Sequence, residues 1–384
     1  MPNAMFDVVM LTTVHPAVDD RIFHREAQTL TEAGFSVCII GQHPTSEGLG
    51  GVWIEALPSP ASRRQRLLLS WTLLKRARQM DGKLFIFHDP ELFGVGLILS
   101  LLGKKVVYDS HENLPASMLQ KFWLPRWARW LLVPEVWLAE WLCSRLITGV
   151  IVAREEIMSR FNKRRTVLVR NFPTGSALAL LGRGAPIQRR RNIVIYTGGL
   201  SPIRGIRELV QAFKSLEMPG AELWLVGKFE SQQFETEILA SLPTNGKWLG
   251  WKEHTEVLEL YQFAKVGMVL LYPTPNHRYS LPVKLFEYLG AGLPVIASNF
   301  PELTELMGGC GYQVDPYDVA QIRDAMQSLL SDPPRTIEMS RQARRRVLTS
   351  MSWETEGRRL IDFCSKLLSQ SSGARTTVQR SVPR

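Results

Sequence analysis

Lys284 and Glu287 lie one helical turn apart inside the segment NHRYSLPVKLFEYLGAGLPVIASN, residues 276–299. A cation and a carboxylate at that spacing share one helix face. Polar residues 276–280 precede Pro282, which suits a helix start because it has no N–H to lose. Loop N–H groups pointing at a helix start, with Lys284, suit a phosphate, and Glu287 suits the hydroxyls of an adjoining ribose. The segment therefore predicts a nucleotide-diphosphate ligand. Gly290 and Gly292 are expected as left-handed stops, and PVIAS as a strand buried on both faces of a parallel sheet.

Further candidates follow from the strands that must carry them. FDVVMLTT, FSVCIIG, KLFIFHD, KKVVYDS and LITGVIVA are apolar and end in polar residues, with helical segments between them. That alternation predicts a doubly wound parallel sheet whose ligand crevice lies at the carboxyl ends of the strands. The residues just past those ends are then candidates: His15, Asp19 and Arg21; His88, Asp89 and Glu91; Asp109, His111 and Glu112. After residues 174–191, rich in glycine and arginine and read as a linker, the pattern restarts with NIVIYTGG, AELWLVG, KWLGW, KVGMVLLY and PVIAS. Two α/β domains are expected, 1–173 and 192–350. A last helix over 353–368 is expected to pack back on the first domain, and 370–384 to be a disordered basic tail.

The chain has 384 residues, a formal net charge of +10 and four cysteines without a close pair. Scattered cysteines read as buried reduced thiols in a cytoplasm, with no zinc site. The N-terminus reads as a strand and not as a signal peptide, and no apolar run is long enough to span a bilayer. The basic runs, such as 63–64, 163–165, 189–191 and 344–346, read as solvated faces. They lack the interleaved aromatics of a single-strand binder, so nucleic acid is not an expected partner. One stretch stands apart: KFWLPRWARWLLVPEVWLAEWLCSRL places Trp123, Trp127, Trp130, Trp137 and Trp141 on one helical stripe beside Lys121, Arg126 and Arg129. Over 119–133 this composition suits an anionic membrane surface, whereas 135–146 reads as a core helix.

Taken in order, DDRIFHREAQTLTEAGFSV, FHDPEL, VVYDSHE, YTGGLSPIRGIRELVQAF, LWLVGKF, LGW and SLPVKLFEYLGAGLPVIAS resemble a family 4 glycosyltransferase from about Phe6 to about Leu368. The resemblance implies a GT-B fold, two Rossmann-like domains facing across a cleft, the second holding a nucleotide sugar and the first an acceptor. It implies that Glu287 binds the ribose and that His111 faces the donor sugar. The family's first motif glutamate falls at Tyr279, its arginine after the first strand of the second domain at Gly199, and its lysine at Arg204. Donor contacts are thus expected from Gly198, Gly199, Arg204, Gly227, Ser280, Leu281, Pro282, Lys284 and Glu287, with Lys284 replacing the lost charge. Asp19, Arg21, His88 and Glu91 are expected on the acceptor side.

The implied function is a retaining hexosyltransferase that needs neither metal nor cofactor, its donor being a nucleotide-diphosphate sugar. The acceptor is expected to be a glycan or lipid-linked sugar of a bacterial envelope, and the location cytoplasmic, peripheral on the inner face of the membrane. The rival readings are a non-catalytic scaffold subunit and a sugar-nucleotide epimerase of the same fold.

Overall fold

The computed structural model describes residues 5–111, 113–119 and 125–370. Glu112, residues 120–124 with Lys121 and Trp123, and the expected basic tail from 371 onward lie outside the described residues. The chain forms two compact units, one of residues 1–170 and 355–384 and the other of 171–354.

The first unit is built on β1 (Met5–Pro16), β2 (Val37–Gln42), β3 (Glu47–Leu49), β4 (Val52–Leu57), β5 (Asp81–Phe87), β6 (Lys105–Ser110), β7 (Gly149–Val152) and β8 (Thr166–Leu168). They lie in the order β3-β4-β2-β1-β5-β6-β7-β8, and every pairing is parallel except β3 with β4. The central strands are continuously apolar because both faces are covered, and Val8 to Leu11 and Leu84 to Phe87 are fully buried. The helices Arg63–Gln79, Phe93–Leu101 and Arg126–Leu146 pack side by side on one face, through Leu73, Ala77, Leu99 and Cys143. The final helix, Trp353–Ser369, joins the first unit from Thr355 onward. Phe363 lies against Gly149 of β7, Arg170 pairs with Glu356 at 3.4 Å, and the Lys105 amine donates to the Leu367 carbonyl.

The second sheet contains β9 (Ile193–Thr197), β10 (Glu222–Val226), β11 (Gly246–Trp248), β12 (Val266–Val269), β13 (Val295–Ser298) and β14 (Gly311–Val314). All its pairings are parallel, in the order β11-β10-β9-β12-β13-β14. The strands β3, β4, β8 and β14 were not expected from the sequence; all but β4 are three or four residues long and sit at or next to sheet edges.

Residues 174–191 are not a linker. Thr174 caps a helix, Gly175–Leu181, whose Leu178 and Leu181 enter the core of the second unit. Arg190, expected on a solvated run, is buried. Its guanidinium donates to the carbonyls of Ala185, Tyr261, Ala264 and Ala291 at 2.7–3.4 Å. Glycines and arginines suggested an exposed connector, but a forked cation can close several buried carbonyls at once. Arg344 likewise donates to the Gly182 carbonyl, and Arg346 to those of Glu305 and Leu306, nearer the surface. All four cysteines are free and buried, with Cys38 and Cys143 pushed up to about 12 by burial.

Candidate active site

In the second unit the site begins where β9 ends. Gly198 and Gly227 follow neighbouring strands and both have left-handed backbones, with φ of 113° and 139°. A Cβ on Gly227 would fall 2.0 Å from the Gly198 carbonyl oxygen, so the two loops approach as only glycines allow. The Gly198 N–H donates to Val226 O at 2.9 Å, and Trp248 Nε1 donates to Gly227 O at 2.9 Å. Beyond Gly199 a short 3-10 turn, Pro202–Arg204, brings the arginine back over the loop. A Cβ on Gly198 would meet Arg204 Nη1 at 3.4 Å and Lys284 Nζ at 3.6 Å. Two cations thus converge above a bare stretch of backbone.

Lys284 reaches that point from the helix Val283–Gly290, for which Pro282 is the N-cap. Its Nζ donates to Thr197 O at 2.8 Å and lies 3.7 Å from the centre of the Tyr196 ring. Burial, and then the Arg204 charge, push the Lys284 amine well below its ordinary value, with Glu287 opposing. His277 shares this environment: burial, Arg204 and Lys284 pull its imidazole down to about 4, so it is neutral at pH 7. Its Nδ1 is buried with no hydrogen-bond partner. A phosphate would relieve all three groups, because it supplies the negative charge that the two cations lack and an acceptor for an imidazole N–H.

Glu287 is buried on the same helix and is already held on both oxygens. Oε1 lies 2.7 Å from His254 Nε2, and Oε2 accepts from the Tyr261 hydroxyl at 3.1 Å. The Tyr261 hydroxyl also meets Thr197 Oγ1 at 2.7 Å, and the Thr197 N–H donates to the Tyr288 hydroxyl at 3.0 Å. One connected network therefore fixes the carboxylate relative to the lysine. His254, Tyr261 and His277 were missed in the sequence because each sits outside a recognisable spacing. A histidine opening the helix His254–Tyr261 was the available signal.

Two expectations at this loop are corrected. The Ser280 N–H is not free but donates to His277 O at 3.0 Å, and its hydroxyl bonds the same carbonyl, because the loop closes on itself as a turn. Gly290 ends the helix without a left-handed backbone, and only Gly292, with φ of 71°, takes that conformation. Tyr279, where the family's first motif glutamate would fall, is 42% exposed, while Leu281 packs against the core.

The first unit gathers its candidates at the ends of β1, β5 and β6. Arg21 is buried and forks onto both oxygens of Asp109, at 2.9 and 3.0 Å, while bonding Val169 O and pairing with Glu26. His88 Nδ1 lies 3.1 Å from Asp109 Oδ2, and the His88 and His111 rings stack with centroids 5.5 Å apart. Burial would raise the Asp109 carboxyl, but Arg21, His111 and His88 together hold it well below the usual range. Burial and then Asp109 push the Glu26 carboxyl well above that range, with Arg21 opposing. Burial, outweighing Asp109, takes His111 down to about 3, leaving a neutral, partly exposed imidazole.

Arg21 and His88 are therefore not disposed to meet an acceptor; they are interior members of an ion cluster. Asp19 caps the turn at Arg21 and Ile22 through Oδ1, and Glu91 accepts from Thr13 and pairs with Arg66 at 2.9 Å. Asp89 accepts from the Thr12 hydroxyl and the Thr13 and Val14 N–H groups. Strand-end carboxylates close neighbouring backbone before they can serve a ligand. His88, Asp109 and His111 also offer three ligand atoms within 4.8 Å of one another, the spacing of a cation site. Both Asp109 oxygens already accept from a guanidinium there, so a metal would have to compete with a buried positive charge.

Two parallel-sheet α/β units make this a GT-B protein. The fold is shared with a sucrose-phosphate synthase from Thermosynechococcus elongatus, with a TM-score of 0.73 at 19% identity over 95% of this chain and 100% of that one. Residues 183–346 match the family model described as glycosyl transferases group 1. Over that stretch the chain is similar to the group 1 glycosyl transferases, in keeping with the family 4 resemblance read from the sequence. It is 29% identical over 154 residues to the O-antigen chain mannosyltransferase B of Escherichia coli, covering 38% of this chain and 39% of that one. It is 23% identical over 332 residues to an MMP α-(1→4)-mannosyltransferase of Mycolicibacterium hassiacum, covering 80% and 79%. Against several curated relatives, the match spans about two fifths of their length.

Proposed function

We propose that this protein transfers a hexose, with retention of anomeric configuration, from a nucleotide-diphosphate sugar to a glycan or lipid-linked acceptor of the cell envelope. The observation that carries the reading is the convergence of Arg204 Nη1 and Lys284 Nζ over Gly198, with Glu287 one turn further along the Lys284 helix. Cations and a bare backbone suit a diphosphate, and a carboxylate at that distance suits ribose hydroxyls. The mannosyltransferase relatives support a sugar donor and an envelope product.

In the reaction the bond between the sugar anomeric carbon and the diphosphate oxygen breaks. A bond from that carbon to the acceptor oxygen forms on the same face, and the acceptor proton passes to the departing diphosphate. Negative charge then grows on the leaving group, where Arg204 and Lys284 act without a metal or cofactor. Neutral His111 suits a hydrogen bond with a sugar hydroxyl, a role that a charged imidazolium could fill only as donor.

The test is turnover with candidate nucleotide sugars and an envelope glycan extract. Release of nucleoside diphosphate only when acceptor is present, and an NMR coupling constant showing the donor's anomeric configuration in the product, are expected. Conversion of the donor into an epimeric sugar nucleotide, without acceptor and without net release of nucleoside diphosphate, would favour the epimerase reading. Binding without turnover would favour the scaffold reading, which the replacement of a motif glutamate by Tyr279 keeps in view.

A further inference from the structure

The helices Arg63–Gln79, Phe93–Leu101 and Arg126–Leu146 form one layer over the first sheet, and the outward side of that layer is apolar. Leu68 and Trp71, 62% exposed, lie on the first helix, and Leu101 lies at the end of the second. Trp127 and Trp130, 71% and 69% exposed, and Leu138 lie on the third. The third helix runs unbroken through Pro134, so the expectation of a separate core helix over 135–146 is corrected. Its Cys143 and Glu140 are buried while Trp137, Leu138, Leu142 and Leu146 face out. At 21 residues it is about 30 Å long. Among the described residues no helix is long and apolar enough to cross a membrane.

The exposed charges on this layer are predominantly basic. Residues 63–79 contain six Lys or Arg and no acid. Leu68, Trp71, Lys75 and Arg78 recur at helical spacing, all exposed, so apolar and cationic groups share one stripe. On the third helix Arg145 lies 4.2 Å from the Trp141 ring, and Glu140 is buried against Arg160, which leaves Glu135 as the exposed acid.

We infer that this three-helix layer docks on the surface of an anionic lipid bilayer, with its tryptophans and leucines at the headgroup boundary and Lys75, Arg78 and Arg145 on lipid phosphates. Tryptophan beside lysine and arginine on a helix that cannot span is the pattern of an interfacial helix. A second copy of this chain is the poorer occupant, because the 63–79 helix would bring cations against cations. The inference does not depend on the proposed reaction.

Co-sedimentation with phosphatidylcholine vesicles, with and without phosphatidylglycerol, tests it. Binding to the phosphatidylglycerol vesicles that weakens with added salt is expected. The variant L68S/W71S/W130S should lose at least about tenfold in affinity while keeping its melting temperature. K75E/R78E should lose the preference for anionic lipid. Absence of binding to phosphatidylglycerol vesicles, or binding unchanged in both variants, would overturn the inference. So would a dimer in sedimentation velocity that L68S/W71S/W130S dissolves, since the face would then be covered by a second copy.

Discussion

Lys284 carries the most specific consequence at the scale of single residues. Its amine is pushed well below its ordinary value by burial and by Arg204, and an anion stabilises only its protonated form. Below the depressed value the free protein is already charged there, and this group adds no pH dependence to binding. Above that value binding must take up a proton, so affinity for a nucleoside diphosphate falls as pH rises. Calorimetry in buffers of different ionisation enthalpy should show proton uptake that grows as pH is raised and that Lys284→Met abolishes; equal uptake in the variant would remove Lys284 from the site. The sequence made Lys284, Glu287 and Arg204 legible because motif spacing survives in them. It did not show His254 and Tyr261 holding Glu287, since partners brought together across 33 and 26 positions leave no local pattern.

At the scale of elements, the segment 174–191 shows what local composition conceals. Glycine, proline and consecutive arginines describe a connector, yet Arg190 closes carbonyls from three separate parts of the second unit. Arg190→Leu leaves those carbonyls buried and unpaired, and should cost about 2–4 kcal/mol in denaturant unfolding. A loss under about 0.5 kcal/mol would mean that water replaces the guanidinium. The long buried strands were legible from their apolar runs. The edge strands β3, β8 and β14 were not, because three or four residues give too short a window for periodicity. At the ends of β1, β5 and β6 the structure gathers the polar residues expected there, but which groups they engage was not legible. Arg21 and His88 are spent on Asp109, and a buried ion pair of this kind is visible only once distant strands are neighbours.

For the molecule as a whole, acid is the expected weakness. His111 titrates at about 3 in the folded protein against an ordinary 6.5, so the unfolded chain protonates first as pH falls. The stability tied to this neutral imidazole is fully present above 6.5 and is lost as pH falls from there towards 3. Melting temperatures of wild type and His111→Gln should therefore converge or cross as pH falls through that interval; parallel curves would contradict the assignment. The central claim, that the second unit holds the diphosphate of a sugar nucleotide through Arg204 and Lys284 with Glu287 on the ribose, is tested most directly by calorimetric titration with UDP, GDP and ADP. One of the three should bind with single-site stoichiometry. Arg204→Ala should weaken it by about 1.5–3 kcal/mol, or about 10- to 150-fold, with Glu287→Ala weaker than wild type as well. No binding by any of the three, or equal affinity in wild type and both variants, would contradict it.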